Sequence, residues 1–229
     1  MTLRPLKMVS SMATRELLAA LAARFEQQTG CAVIAEAAGG VDVARRVDAG
    51  EAVDVVVLAS NAIDKLIASG KLFAGRVDVV QSGIAMAVRK GALAPAISTE
   101  DDVRRAVLAA ESLSYSTGPS GQYLEGLFTR WGIMEKVRAR IVVPPPGIPV
   151  GSLVAEGKVA LGFQQLSELA NLKGVTVLGL LPDPIQSMTV FSGGVSARSE
   201  AADAGRSLLA FMASPAVAEL KRQHGMSAA

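Results

Sequence analysis

The stretch Val53-Asp54-Val55-Val56-Val57-Leu58 constrains the fold of this 229-residue chain more than any other. Apart from one carboxylate it is an unbroken apolar run, short and rich in β-branched residues. A run of this length without polar alternation fits a strand covered on both faces, as in a parallel sheet flanked by helices. The neighbouring segments agree. Val43 to Ala49 and Ala62 to Ser69 have helical spacing and surround the run. Upstream, Leu6 to Ser10 reads as a strand, and Leu17, Leu18, Leu21 and Phe25 recur at helical intervals until Gly30 supplies a C-cap. Ala32 to Ala37 is a second strand, closed by Gly39-Gly40. Strand and helix alternate, which predicts an α/β fold.

The same alternation continues to the C-terminus. Helices are expected around 100–110, from Ser120, at 150–155, at 167–171 and over 200–224, the last with Ser214 as N-cap and Pro215 at N1. Strands are expected at 112–116, 140–143 and 159–164. Two long extended segments, near 79–89 and 176–197, bracket the middle of the chain. That pattern predicts two α/β lobes joined by two crossing segments, with a ligand cleft between them. Residues 1–82 and 186–229 form the first, discontinuous lobe, and 83–185 the inserted second lobe.

Composition removes several functions. Half of the residues are apolar, so a core needs no disulfide, and Cys31 is the only cysteine. His224 is the only histidine and lies near the C-terminus, so neither a His/Cys metal site nor a Ser-His-Asp triad is expected. No metal and no cofactor is called for. With 23 basic and 21 acidic residues and few aromatics, the chain offers no footprint for nucleic acid. No stretch approaches the roughly 20 apolar residues of a spanning helix, so membrane insertion is not expected. The opening MTLRPLKMVSS lacks an apolar leader core. The chain as written is therefore expected in the cytoplasm, and in the periplasm if a leader has been removed.

What remains is a set of small-residue loops, each following a strand expected from the sequence: Ser10-Ser11-Met12, Ala38-Gly39-Gly40, Gly118-Pro119-Ser120-Gly121 and Gly147-Ile148-Pro149. Helix N-termini leave backbone N–H groups unpaired and favour anions, and small side chains let a ligand approach them. In open α/β sheets ligands gather beyond the carboxyl ends of strands. Plain N-capping by Ser11, Thr14 and Ser120 is the alternative reading. Gln164 and Gln165 stand at another strand end and could donate amide N–H groups to a carboxylate. Arg15, Arg45 and Arg46 sit just inside helix starts, either as carboxylate forks or as ordinary surface residues.

The segments VSSMATRELL, VDVARRVDAGEAVDVVVLAS, GPSGQYLEGLF, VAEGKVALGFQQLSEL and LLAFMASPAVAELKRQHG, in this order, resemble the molybdate-binding-protein-like branch of the bacterial solute-binding proteins. The resemblance covers nearly the whole chain and implies the type 2 periplasmic-binding-protein fold. It implies ligand contacts at Ser10, Ser11, Met12, Gly39, Gly40, Ser120, Gly121, Gly147 and Gln165. It also implies a small anionic ligand and, for an exported protein, the membrane component of an ABC transporter as partner. Molybdate binders of the family carry serine where Met12 stands, serines where Gly39 and Gly40 stand, and tyrosine where Gln165 stands. The loss of these hydroxyls points to an organic di- or tricarboxylate rather than molybdate or another oxyanion. The same group includes aconitate isomerases, which move a proton within an unsaturated tricarboxylate. For that activity Glu36, Asp42 and Tyr123 are the possible bases, and no catalytic residue is assigned. A sensory ligand-binding module is a third reading.

Overall fold

The computed structural model describes residues 4–145 and 147–229. In chain order the elements are β1 (Leu6–Ser11), α1 (Arg15–Thr29), β2 (Val33–Ala38), α2 (Gly40–Asp48), β3 (Val55–Ala59), α3 (Ser60–Ala68), β4 (Val77–Arg89), α4 (Glu100–Ala109), β5 (Leu113–Tyr115), α5 (Pro119–Arg130), α6 (Met134–Val137), α7 (Val150–Ala155), β6 (Leu161–Gln165), α8 (Leu166–Leu169), β7 (Val175–Leu180), β8 (Met188–Val195), α9 (Ala202–Ala213) and α10 (Ala218–Gln223). The chain divides into two compact units. Unit 1 holds residues 1–81 and 190–229, and unit 2 holds 82–189. The chain leaves unit 1 inside β4 and returns to it inside β8.

In unit 1, β1 lies between β2 and β3 and is parallel to both, and β3 pairs antiparallel with β8. The apolar run becomes β3, buried along Val55 to Leu58. Its side chains alternate between two cores, as a strand period of two requires. Val55 and Val57 join Leu17, Leu21 and Phe25 of α1 and Leu208, Leu209 and Met212 of α9. Val56 and Leu58 join Val43 and Val47 of α2 and Ile63 and Leu66 of α3. Gly30 ends α1 in the left-handed conformation, φ 72°, with its N–H on the Glu26 carbonyl at 2.8 Å.

In unit 2, β6 lies between β4, antiparallel to it, and β5, parallel to it, while β7 pairs with β4. Ile84, Met86 and Val88 of β4 enter a core with Leu124, Leu127 and Phe128 of α5, and Ala85 and Ala87 face Leu169 of α8. Thr99 opens α4 with a reciprocal capping box to Asp102. The strand expected at 140–143 is absent. Ile141 makes only an isolated bridge to Leu113, because Arg138–Arg140 form a 3-10 turn directly before it. The extended segment near 176–197 is two strands, separated by a 3-10 turn at Asp183–Ile185. Among the described residues no helix is long and apolar enough to cross a membrane.

Two buried charges hold unit 1. The Asp54 carboxylate accepts from Arg4 Nη2 at 2.8 Å and Nη1 at 3.0 Å, from the Lys7 amide at 2.9 Å and from Ser199 Oγ at 2.6 Å. Burial alone would push this carboxyl up, but the bonds from Arg4, Lys7 and Ser199 outweigh it and hold it below its usual range. Lys221, 1% exposed, donates Nζ–H to the Val79 carbonyl at 2.8 Å, and burial lowers its affinity for a proton.

Both charges make stability depend on pH, with distinct windows. For Asp54 the folded value lies below the unfolded one, so its contribution is present above about pH 4 and disappears as pH falls through the lower folded value. Asp54→Ala is expected to cost about 3 kcal/mol at pH 7 in urea unfolding, because four donor groups of Arg4, Lys7 and Ser199 lose their acceptor. The difference from the parent should shrink on acidification. For Lys221 the unfolded chain binds the proton more tightly, so parent stability should rise as pH climbs toward 10.5. Lys221→Met should remove that rise, which urea melts from pH 7 to 10 would register.

Candidate anion site

In unit 1 two of the predicted loops lie side by side. Parallel pairing sets Ser11 opposite Ala38, so the turn after β1 and the turn after β2 emerge at the same sheet edge. After Ser11 the chain makes a 3-10 turn, Met12–Thr14, and enters α1. After Ala38 it passes Gly39, the N-cap residue, and enters α2. The first ladder bond of α2 runs from Val43 N–H to the Gly39 carbonyl, so the amides of Gly40, Val41 and Asp42 lie outside the helix ladder. A Cβ on Gly40 would stand 3.5 Å from Ser11 Cβ, an ordinary contact that shows how close the two loops are.

The hydroxyls at this edge are unequal. Ser10 Oγ makes a long bond, 3.5 Å, to the Glu36 carbonyl. Ser11 Oγ is buried without a hydrogen-bond partner among the described residues. Neither Ser11 nor Thr14 caps a helix through its side chain, so the N-cap alternative fails for both. Thr14 Oγ1 instead donates back to the Ser11 carbonyl at 3.0 Å. Met12 is partly buried at the first position of the turn.

In unit 2 the parallel pair β5–β6 brings the turn holding Ser120 and Gly121 to the same sheet edge as Gln164 and Gln165. Ser120 sits buried inside the first turn of α5, its Oγ 2.9 Å from Ser116 Oγ. The N-cap residue is Gly118, with Pro119 at N1. Gly121 packs against the backbone rather than open space: a Cβ there would lie 1.6 Å from the Ser116 carbonyl oxygen. Gly147 is exposed, with φ 77° and nothing near its Cβ position, so its turn requires glycine for the dihedral alone. The adjoining Pro146 lies outside the described residues.

The amides expected to face a ligand are used within unit 2. Gln164 Oε1 accepts from Gly151 N–H at 2.8 Å, and its Nε2 donates to Glu168 at 2.7 Å. In the orientation that satisfies both ends of the Gln165 amide, Nε2 donates to the carbonyls of Ser82 at 2.9 Å and Gly83 at 3.3 Å, and Oε1 accepts from Thr189 Oγ1 at 2.8 Å. The three arginines are also engaged, Arg15 with Glu16, Arg45 with Asp42, and Arg46 with Glu36 and Glu51. Those pairs occupy Glu36 and Asp42, and Tyr123 Oη donates to the Ile185 carbonyl at 2.9 Å. Tyr115, next to the Ser116 turn, is pushed up to about 12 by burial, with Glu125 adding to the effect, and keeps its proton.

Two serines stand out only in the structure: Ser116, which holds Ser120, and Ser167, which follows Gln165 by two residues and has a second buried hydroxyl without a partner among the described residues. A serine shortly after a strand end was the only available signal, and many serines satisfy it.

The two glycines at helix starts should respond differently to substitution. Gly121→Ala must displace the Ser116 backbone and is expected to cost more than about 3 kcal/mol, as overpacking against main chain does. Gly40→Ala meets only ordinary contacts and should cost less than about 1 kcal/mol. Urea unfolding of both variants gives the comparison.

Known proteins fit this architecture. The family described as bacterial extracellular solute-binding protein matches residues 6–227. An aconitate isomerase from a Pseudomonas species is 39% identical over 215 residues, spanning 90% of this chain and 81% of that protein. The periplasmic molybdate-binding protein of Azotobacter vinelandii superposes with a TM-score of 0.81 at 20% identity, covering 96% of this chain and 98% of that one. The tungstate ABC transporter structure from Geobacter sulfurreducens gives 0.74 at 18% identity, covering 95% and 97%. At such identities these two structures establish the α/β periplasmic-binding-protein fold and nothing finer. The family match over almost the entire length makes this chain a member of the bacterial extracellular solute-binding proteins.

Proposed function

We propose that the ligand is an organic polycarboxylate of the aconitate class and that the protein catalyses an allylic proton shift in it. The observation that carries this reading is the 39% identity to an aconitate isomerase across most of both chains. The oxyanion-binding structures, at 20% identity or less, support the fold without carrying their ligands over. The donor set agrees in kind. Ser11 and the free amides at the start of α2, with Ser120 at the start of α5, are short neutral donors that suit carboxylate oxygens. We propose that these groups hold carboxylate oxygens of such a ligand, with Met12, Gly39 and Gly40 beside the donors of unit 1 and Gly147 beside those of unit 2.

In the isomerase reading a base removes a proton from the methylene carbon of the tricarboxylate. The electron pair spreads into the conjugated carboxylates, and a proton returns to the former vinyl carbon, so the double bond moves. Hydroxyl and backbone donors at helix starts stabilise the charge that gathers on the carboxylate oxygens. Binding without turnover is the second reading, favoured by the engagement of Glu36, Asp42 and Tyr123 in hydrogen bonds or ion pairs. A binding protein of this kind would deliver its ligand to the membrane component of an ABC transporter.

Proton NMR in deuterated buffer separates the readings. Incubated with trans-aconitate, the protein should produce the cis isomer and exchange the migrating hydrogen for deuterium. If trans-aconitate raises the Tm with no isomer formed, binding alone is the function. A larger Tm rise with molybdate than with any di- or tricarboxylate at equal concentration sinks the carboxylate reading. A ligand at a hundred times its Kd stabilises by about 2.7 kcal/mol, well within reach of a thermal melt.

A further inference from the structure

Ser11 Oγ and Ser167 Oγ are buried side-chain hydroxyls without a hydrogen-bond partner among the described residues. Each serine is 8% exposed. Ser11 is the last residue of β1, and Ser167 follows the end of β6 by two residues. Both therefore stand at the carboxyl end of a strand in the sheet of their own unit, where α/β proteins bind ligands. A buried hydroxyl that makes no bond costs free energy, so native proteins rarely keep one without a use for it.

The surroundings of Ser167 are polar beyond what packing needs. Its backbone N–H donates to Ser82 Oγ at 3.4 Å, and Ser82 is 1% exposed. The Ser82 carbonyl accepts from the Gln165 amide, whose other end accepts from Thr189. Gln165 thus has both amide hydrogens and its oxygen committed to β4 and to the start of β8. We infer that Ser167, which the family resemblance does not assign, donates its hydroxyl to a carboxylate oxygen of the ligand, the role proposed above for Ser11. Gln165 is a positioning residue that fixes the strand end from which Ser167 is presented, and it does not touch the ligand. This inference rests on the carboxylate reading for the class of ligand, though not for the identity of the donor.

The test uses Ser167→Ala, Ser167→Cys and Gln165→Leu in the full chain, each melted alone and with trans-aconitate, tricarballylate, sulfate and molybdate. Removing a hydroxyl that has no protein partner leaves the ligand-free Tm unchanged or raises it. Ser167→Ala should therefore melt no lower than the parent while binding the effective anion ten- to a hundredfold more weakly, the loss typical of one hydrogen bond to a charged group. Ser167→Cys, a weaker donor of similar shape, should fall between the two. Gln165→Leu strands the Ser82 and Gly83 carbonyls and should lower the ligand-free Tm, the opposite sign. A ligand-free Tm that falls in Ser167→Ala, or an affinity that does not, overturns the assignment. If molybdate or sulfate is the effective anion and Ser167→Ala weakens it, the carboxylate reading fails while Ser167 stands. If a carboxylate binds equally to parent and variant, Ser167 fails while that reading stands. A parent stabilised by none of the four overturns both.

Discussion

The Asp54 amide donates to the Lys7 carbonyl at 2.9 Å while the Asp54 carboxylate accepts from the Lys7 amide at 2.9 Å, and this two-way bond fixes β3 against β1. The register that follows sets Met8 opposite Val55 and Ser10 opposite Val57. A slip of one residue would exchange Val55 and Val57 with Val56 and Leu58 between the two cores, moving every side chain to the wrong face. With β3 fixed, β1 and β2 run parallel to the same edge, and Ser11 meets Ala38 there. The free amides of α2 and the unpartnered hydroxyl of Ser11 are consequences of that alignment. One carboxylate at the start of the apolar run thus governs groups at its far end.

Unit 2 reaches a comparable edge by a different constraint. The Ser116 carbonyl passes so close to Gly121 that no other residue fits, and Ser116 Oγ bonds Ser120 Oγ. The small-residue composition of this loop reads as ligand access. At Gly121 it serves main-chain packing, which leaves the same letters in the sequence. The two meanings of glycine part only when the neighbouring atoms are known. Gly40 shows the other case, with ordinary contacts at its Cβ position and free amides beside it.

The α/β class was legible because it depends on periodicity, and β3 shows why. A short run of Val and Leu with no polar alternation has no stable place except between two covered faces, and both cores are present. The position of three of the four loops after strands was legible for the same reason, while the loop at Gly147 follows no strand because the one expected at 140–143 is absent. The state of each polar side chain was not. Gln165 follows a strand as a ligand donor would, yet its amide is consumed by Ser82, Gly83 and Thr189, which are distant in sequence. Arg15 opens α1 as an anion clamp would, but Arg45 and Arg46, expected just inside a helix start, stand in the last turn of α2, and each of the three has a carboxylate partner, at Arg46 two. Hydrogen-bond satisfaction is a tertiary property, and a single sequence carries no period for it. Ser167 stayed hidden because a serine that lacks a partner looks like any other.

The candidate donors of the two units are neutral hydroxyls and backbone amides, while Arg15, Arg45 and Arg46 are paired with Glu16, Asp42, Glu36 and Glu51. An anion held by such a set is stabilised by fixed dipoles that need no reorganisation when charge moves within the ligand. That suits a carboxylate whose charge shifts during proton transfer at least as well as one that is only bound. The unpaired hydroxyls of Ser11 and Ser167 are costs to the ligand-free fold, which the hub at Asp54 and the apolar faces of β3 and β4 must outweigh. A chain optimised for stability alone would carry alanine at both places.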